Sequence, residues 1–135
     1  MLPIFLAAAI SAAVPDYGAM PSYEEGVKAG EAFIKRDLAD PYSAHIEWPY
    51  GFVPIDEKVP FSKRTTGYAT CVTVNAKNAY GGYVGEQQFR VIVRNGAVID
   101  YEHVSDLRFV PDICKDLITK LGMGPAPTAA QKTAS

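Results

Sequence analysis

The chain has no surplus of basic charge. Its 13 Lys and Arg stand against 15 Asp and Glu, for a net charge of −2. A phosphate-binding face needs clustered cations, and the longest basic cluster here is the dipeptide Lys63-Arg64, so no nucleic-acid partner is expected. Histidine is scarce, with only His45 and His103. The two cysteines, Cys71 and Cys114, cannot supply a four-ligand zinc site by themselves, and neither histidine lies near them at ligand spacing. No metal site and no cofactor is therefore expected. No apolar run reaches the ~20 residues that a bilayer span requires, so no stable membrane span is expected. No internal repeat is present, which sets aside solenoids and propellers.

What the sequence does have is ordinary globular composition. Hydrophobic residues make up 48% and charged residues 21%, and 135 residues suit one domain with a modest core. The apolar opening "MLPIFLAAAISAAV" breaks at Pro15-Asp16. It is short enough for a signal-peptide apolar region, and Ser11-Ala12-Ala13 places small residues at the positions a signal peptidase reads, although no Lys or Arg precedes it. The reading is a signal peptide over 1–13, a single α+β domain over 14–122 and a disordered, Ala-, Pro- and Thr-rich tail over 123–135. An even, small cysteine count in an exported chain reads as one disulfide, Cys71–Cys114.

The mature chain punctuates itself clearly. Ser22 and Glu25 form a capping-box pattern at the start of a helix that carries Tyr23, Val27, Ile34 and Leu38 at helical spacing and stops before Pro41. Gly26 and Gly30 lie on or beside that stripe, which suggests a close approach to a sheet. "SAHIEWPYGF" alternates, placing Ala44, Ile46, Trp48, Tyr50 and Phe52 on one face of a strand, with Pro49 marking an edge or a bulge. Residues 53–63 read as a polar loop. Three further strands follow, in "TTGYATCVTVNA", "YVGEQQFRVIVR" and "AVIDYEHV", the last two joined by the hairpin signal Asn95-Gly96. A two-residue turn there would bring Asp100 opposite Val91, so either Asp100 lies beyond the edge of the core or a bulge shifts the register. A short helix over "PDICKDLITKLG" presents Cys114, Leu117, Ile118 and Leu121 on one stripe. The expected architecture is an antiparallel four-stranded meander with both helices packed on one face. The disulfide adds its own demand. The final helix must reach the Cys71–Thr73 face, which leaves the Val72–Val74 face to the first helix unless a bulge intervenes.

The connection between the second and third of these strands is "NAKNAYGGY". Asn tolerates left-handed backbone and bonds its own chain, and Gly81 and Gly82 accept dihedrals closed to other residues. The loop is either an elaborate turn or a recognition surface built from Asn75, Lys77, Asn78, Tyr80, Gly81, Gly82 and Tyr83, since tyrosine offers contact area at low entropic cost. "LADPYSA" (38–44) and "CVTVNAKNAYGGYVG" (71–85) together resemble a group of small exported bacterial envelope proteins. In that group a helix ends in a D-P-x-S-A turn and a strand carries C-x-x-V-N-x-K-N-x-x-G-G-Y. The resemblance implies export to the periplasm or beyond and a loop shared across the group. It supplies no activity, and this chain lacks the anchoring cysteine of the lipoprotein members.

Catalysis would have to draw on Cys71, His45, His103, Asp100 and Glu102. A disulfide removes Cys71 as a resting nucleophile, and Glu102 and His103 point to opposite strand faces. The expectation is therefore a non-catalytic binding module whose partner is an envelope protein or glycan. The alternatives are a small periplasmic inhibitor that plugs a hydrolase cleft, and a hydrolase or redox enzyme. Cleavage after Ala13 is the expected processing event. Intact-mass analysis of the protein from its native compartment should show Val14 as the first residue, and a mature chain still starting at Met1 overturns the signal reading.

Overall fold

The structure is a computed structural model, and it describes residues 13–104 and 112–128. The expected cleavage segment up to Ala12 and the last seven residues of the expected tail lie outside them.

The first helix, α1 (Tyr23–Asp37), starts where the capping box places it. Ser22 Oγ accepts from the Glu25 amide at 3.2 Å, and Glu25 Oε2 accepts from the Ser22 amide at 3.3 Å. Glu24 and Glu25 in the first turn and Lys35 and Arg36 in the last complement the helix dipole. Leu38 leaves the helical region, and a 3-10 turn over Pro41–Ser43 redirects the chain into the sheet.

The sheet has five strands: β1 (His45–Glu47), β2 (Val53–Glu57), β3 (Thr65–Asn75), β4 (Gln87–Arg94) and β5 (Ala97–His103). All pairings are antiparallel. β1, β3, β4 and β5 answer to the four expected strands, and an unexpected fifth, β2, joins β1 along the same edge of β3. The sequence reading differs here in two ways. The strand expected over 44–52 stops at Glu47, because the chain leaves the ladder ahead of Pro49. The loop expected over 53–63 begins instead as β2, in which Val53 and Ile55 are buried and Pro54 and Asp56 alternate with them. Pro54 is tolerated because β2 is an edge strand. Tyr50 also departs from its expected face: Ile46, Trp48 and Phe52 pack with α1, while Tyr50 packs on the opposite side.

The β4–β5 hairpin turns at Asn95 (φ 50°) and Gly96 (φ 78°), as a type I′ turn requires. Val93 pairs with Val98, and then Ile92 pairs with Asp100, so Ile99 is the extra residue of a bulge. Of the two alternatives for Asp100, the bulge is the one realised. It moves Asp100 onto the face of Arg90 and Ile92.

The helices lie on opposite faces of the sheet, not on one. α1 covers Val72, Val74, Val91 and Val93 through Ile34 and Leu38, and Trp48 and Phe52 join that cluster. Gly26 and Gly30 make this approach possible. A Cβ at Gly30 would fall within 2.2 Å of the Trp48 ring and one at Gly26 within 2.5 Å of Phe52, so the glycines meet these two rings. The second helix, α2 (Ile113–Leu121), covers Val53, Ile55, Ala69 and Ile92 through Cys114 and Leu117. β3 is buried on both faces, and β4 buries Val91 and Val93 toward α1 and Ile92 together with Arg90 toward α2, so each face takes a helix as its cover.

Cys71 and Cys114 are joined by a disulfide with Cα atoms 6.0 Å apart, and both are buried. The ordered body also continues past Gly122 into the segment expected to be tail. Met123 is buried in the α2-side core, and Gly124–Ala126 run along residues 49–51, with Tyr50 bridged to Pro125.

The bridge closes a loop with a sequence separation of 43. Chain entropy assigns a closure of that length about 4 kcal/mol. Cys71→Ser and Cys114→Ser are each expected to lower unfolding free energy by up to that amount, and the double mutant to be little worse than either. Urea denaturation under non-reducing conditions checks this, and additive losses would contradict it.

Candidate functional site

The Asn75–Tyr83 loop is built around Asn78. The Asn78 side-chain oxygen accepts from the Tyr80 amide at 2.9 Å and the Gly82 amide at 3.2 Å. Its own amide donates to the Gly82 carbonyl at 2.8 Å, and its carbonyl accepts from the Gly81 amide at 3.1 Å. Gly81 has φ +81°, which closes the turn at a position other residues would strain. Lys77 and Tyr83 bridge across the base of the loop. The Lys77 ammonium sits 5.5 Å from the centre of the Tyr83 ring, in cation–π range.

A second segment holds the loop from outside. Ser43 Oγ accepts from the Lys77 amide at 3.1 Å and donates to the Asp40 carbonyl at 3.0 Å. The Tyr83 hydroxyl lies 3.2 Å from the Ser43 carbonyl and 3.2 Å from His45 Nε2. One phenolic proton cannot serve both acceptors. When it goes to Ser43, His45 Nε2 must carry the proton and donate to Tyr83. The D-P-x-S-A turn and the glycine-tyrosine loop, far apart in sequence, are thus one structural unit.

The expected site residues divide by role. Asn78, Gly81 and Gly82 shape the backbone, while Lys77 and Tyr83 fasten the loop to the body. Asn75 ends β3 opposite His45, and its side-chain oxygen is buried without a hydrogen-bond partner among the described residues. Tyr80 is presented, at 97% exposure. Sequence reasoning missed Tyr42. It is 99% exposed on the 3-10 turn, one residue from the Ser43 that grips the loop. Its position inside D-P-Y-S-A was the available signal.

Sequence reasoning also missed Arg90. Its side chain is only 6% exposed, on the α2 side of the sheet, at the floor of an open cleft of about 620 Å³ between α2 and the end of β2. It donates to Glu57 at 2.5 Å, forms an ion pair with Glu102 and lies 3.9 Å from Asp100. Burial works against its charge. The hydrogen bond to Glu57 and the charges of Glu57, Glu102 and Asp100 outweigh that, so its pKa lies above the ordinary arginine value. The bulge at Ile99 is what brings Asp100 to this face. Ile113, Leu117, Leu121 and Val59 form the apolar part of the cleft. The signal in sequence was a lone cation inside "QFRVIV".

The residues a catalyst would have needed are dispersed. Cys71 and Cys114 are consumed by the disulfide, His45 meets Tyr83, and His103 sits edge-on to Phe89 at 5.1 Å. Asp100 and Glu102 serve Arg90. Among the described residues, no group of three His, Cys, Asp or Glu could hold a metal ion. No described helix is long and apolar enough to cross a membrane. Comparison with protein-family models, with curated proteins and with solved structures gave no match for this chain.

Breaking a fully buried ion pair costs ~3–5 kcal/mol, but Glu57 and Glu102 are 40% and 36% exposed and can rehydrate. Arg90→Met keeps the aliphatic stem and removes the charge. It is expected to lower stability by about 1–3 kcal/mol in chemical denaturation.

Proposed function

We propose that this protein is an exported binding module of the bacterial envelope, periplasmic or secreted. It engages a partner protein or glycan through the Asn75–Tyr83 loop and the adjoining Pro41–Ser43 turn. The observation that carries the reading is the division of labour within the loop. Its backbone is fixed by Asn78, Ser43 and Tyr83, while Tyr80 is left almost wholly in solvent. A fixed backbone lowers the ordering cost of binding, and an exposed tyrosine supplies the area. Tyr42 extends the same surface. The disulfide supports export, because such bonds persist in oxidising compartments. The resemblance of the 38–44 and 71–85 motifs to exported envelope proteins supports the envelope assignment.

Tyr80→Ala is expected to weaken affinity for the envelope protein or glycan captured by the wild-type chain by about 1–3 kcal/mol, with the melting temperature unchanged. Asn78→Ala should lose both affinity and loop order. Calorimetric titration paired with thermal denaturation checks the pair. A Tyr80→Ala variant that binds at full strength would overturn the assignment to this loop.

A further inference from the structure

The turn between β2 and β3 carries a residue that folding does not explain. Val59 to Ser62 form a tight turn, with the Ser62 amide donating to the Val59 carbonyl at 3.1 Å. Pro60 occupies the second position and Phe61 the third, with φ +64° at Phe61. A type II turn has this pattern, and its third position normally belongs to glycine or asparagine because a Cβ is strained at positive φ. A bulky aromatic there is an outlier. Phe61 has no compensating burial, since it is fully exposed at 108% of its reference area.

The turn is also stiffened and charged. Asp56 and Arg64 close its base through two hydrogen bonds, of 2.5 and 2.7 Å. Lys58 Nζ donates to the Val59 carbonyl at 3.2 Å and to the Ser62 carbonyl, which holds the exposed ammonium against the turn. From Lys58 to Arg64 the chain reads K-V-P-F-S-K-R, with three cations and no acid, and every residue in it is exposed. Only Arg64 among these cations forms an ion pair in the described residues: Asp56 is engaged by Arg64, and the acids of the adjoining cleft, Glu57, Glu102 and Asp116, are engaged by Arg90 and Lys120. Val59 is 60% exposed and Leu121 of α2 49% exposed, and both line the same cleft, so apolar surface continues behind Phe61.

We propose that this turn is an interfacial anchor. Phe61, backed by Val59, inserts into the headgroup region of an anionic phospholipid bilayer while Lys58 and Lys63 contact lipid phosphates. An apolar tip ringed by cations, with no acid in the ring, matches an anionic membrane surface in both polarity and charge. A protein pocket for a lone phenylalanine would need no such ring. The site is independent of the tyrosine loop. The two lie at opposite ends of the 11-residue β3, about 35 Å apart.

The test is sedimentation of the full chain with mixed phosphatidylglycerol–phosphatidylcholine vesicles and with pure phosphatidylcholine. Variants are compared in the same chain form, so that residues 1–14 contribute equally to each. The wild-type chain is expected to partition onto the anionic vesicles and at least about fivefold less onto the neutral ones. Phe61→Gly should reduce partitioning at least about tenfold with unfolding midpoint unchanged or raised, because glycine accepts the positive φ. Phe61→Trp should retain it, and Lys63→Glu should reduce it about fivefold or more. Equal partitioning of wild type and Phe61→Gly, no preference for anionic lipid, or no binding to either vesicle overturns the proposal. So does a loss of stability in Phe61→Gly, which would make Phe61 a packing residue.

Discussion

Everything in this fold refers back to β3. It is paired along both edges, with β1 and β2 on one side and β4 on the other, and it is apolar toward both faces. Ala69 and Cys71 point to α2, Val72 and Val74 to α1, and even Thr70 is fully buried. A strand enclosed in this way needs a cover on each side. α1 supplies one by glycine-enabled contact with Trp48 and Phe52. The other cover is a helix of only nine residues, short for independent stability, and the covalent bond from Cys71 to Cys114 fixes it in place. The bond and the central strand are therefore one constraint.

Much of this was legible in the residues because local rules and global packing agreed. The capping box at Ser22 and Glu25, the Asn95-Gly96 turn and the Cys114–Leu117 part of the α2 stripe each rest on chemistry confined to a few neighbours, and each appears in the structure, whereas Ile118 and Leu121 of that stripe are exposed. The disulfide carried long-range information as well: a bond from the Cys71 face to the final helix left the Val72–Val74 face to the first helix unless a bulge intervened. The one-face arrangement failed because it gave no weight to that demand.

The misreadings share a cause. Pro54 and Pro60 made 53–63 look like loop, yet an edge strand tolerates proline. The Tyr50 face was misjudged because the alternation from Ala44 to Phe52 assumed one unbroken strand, and Pro49 interrupts it. Met123 escaped notice because its burial depends on where α2 ends in space. The Arg90 cluster assembles residues from three strands, one of them displaced by a bulge, and a period-two pattern cannot show that. For the loop, the shaping roles of Asn78 and Gly81 followed from residue type, whereas Gly82 has no left-handed φ and takes part through its backbone amide and carbonyl alone. The grip of Ser43 on Lys77 and Tyr83 is a long-range contact visible only in three dimensions.

The bulge at Ile99 has a further effect, on association between chains. Among the described residues β5 is the outermost strand on its side of the sheet, so one row of its backbone groups faces outward and could template another strand. An extra residue in the middle of that strand breaks the regular spacing of those groups and twists them out of line. The charged Asp100 and Glu102 follow directly. On the opposite side, Pro54 interrupts the outward ladder of β2, and Gly124–Ala126 occupy the gap left between β1 and β2. Among the described residues both margins of the sheet thus carry features that disfavour edge-to-edge growth. A small apolar sheet that must remain unaggregated while its disulfide forms gains the most from that protection.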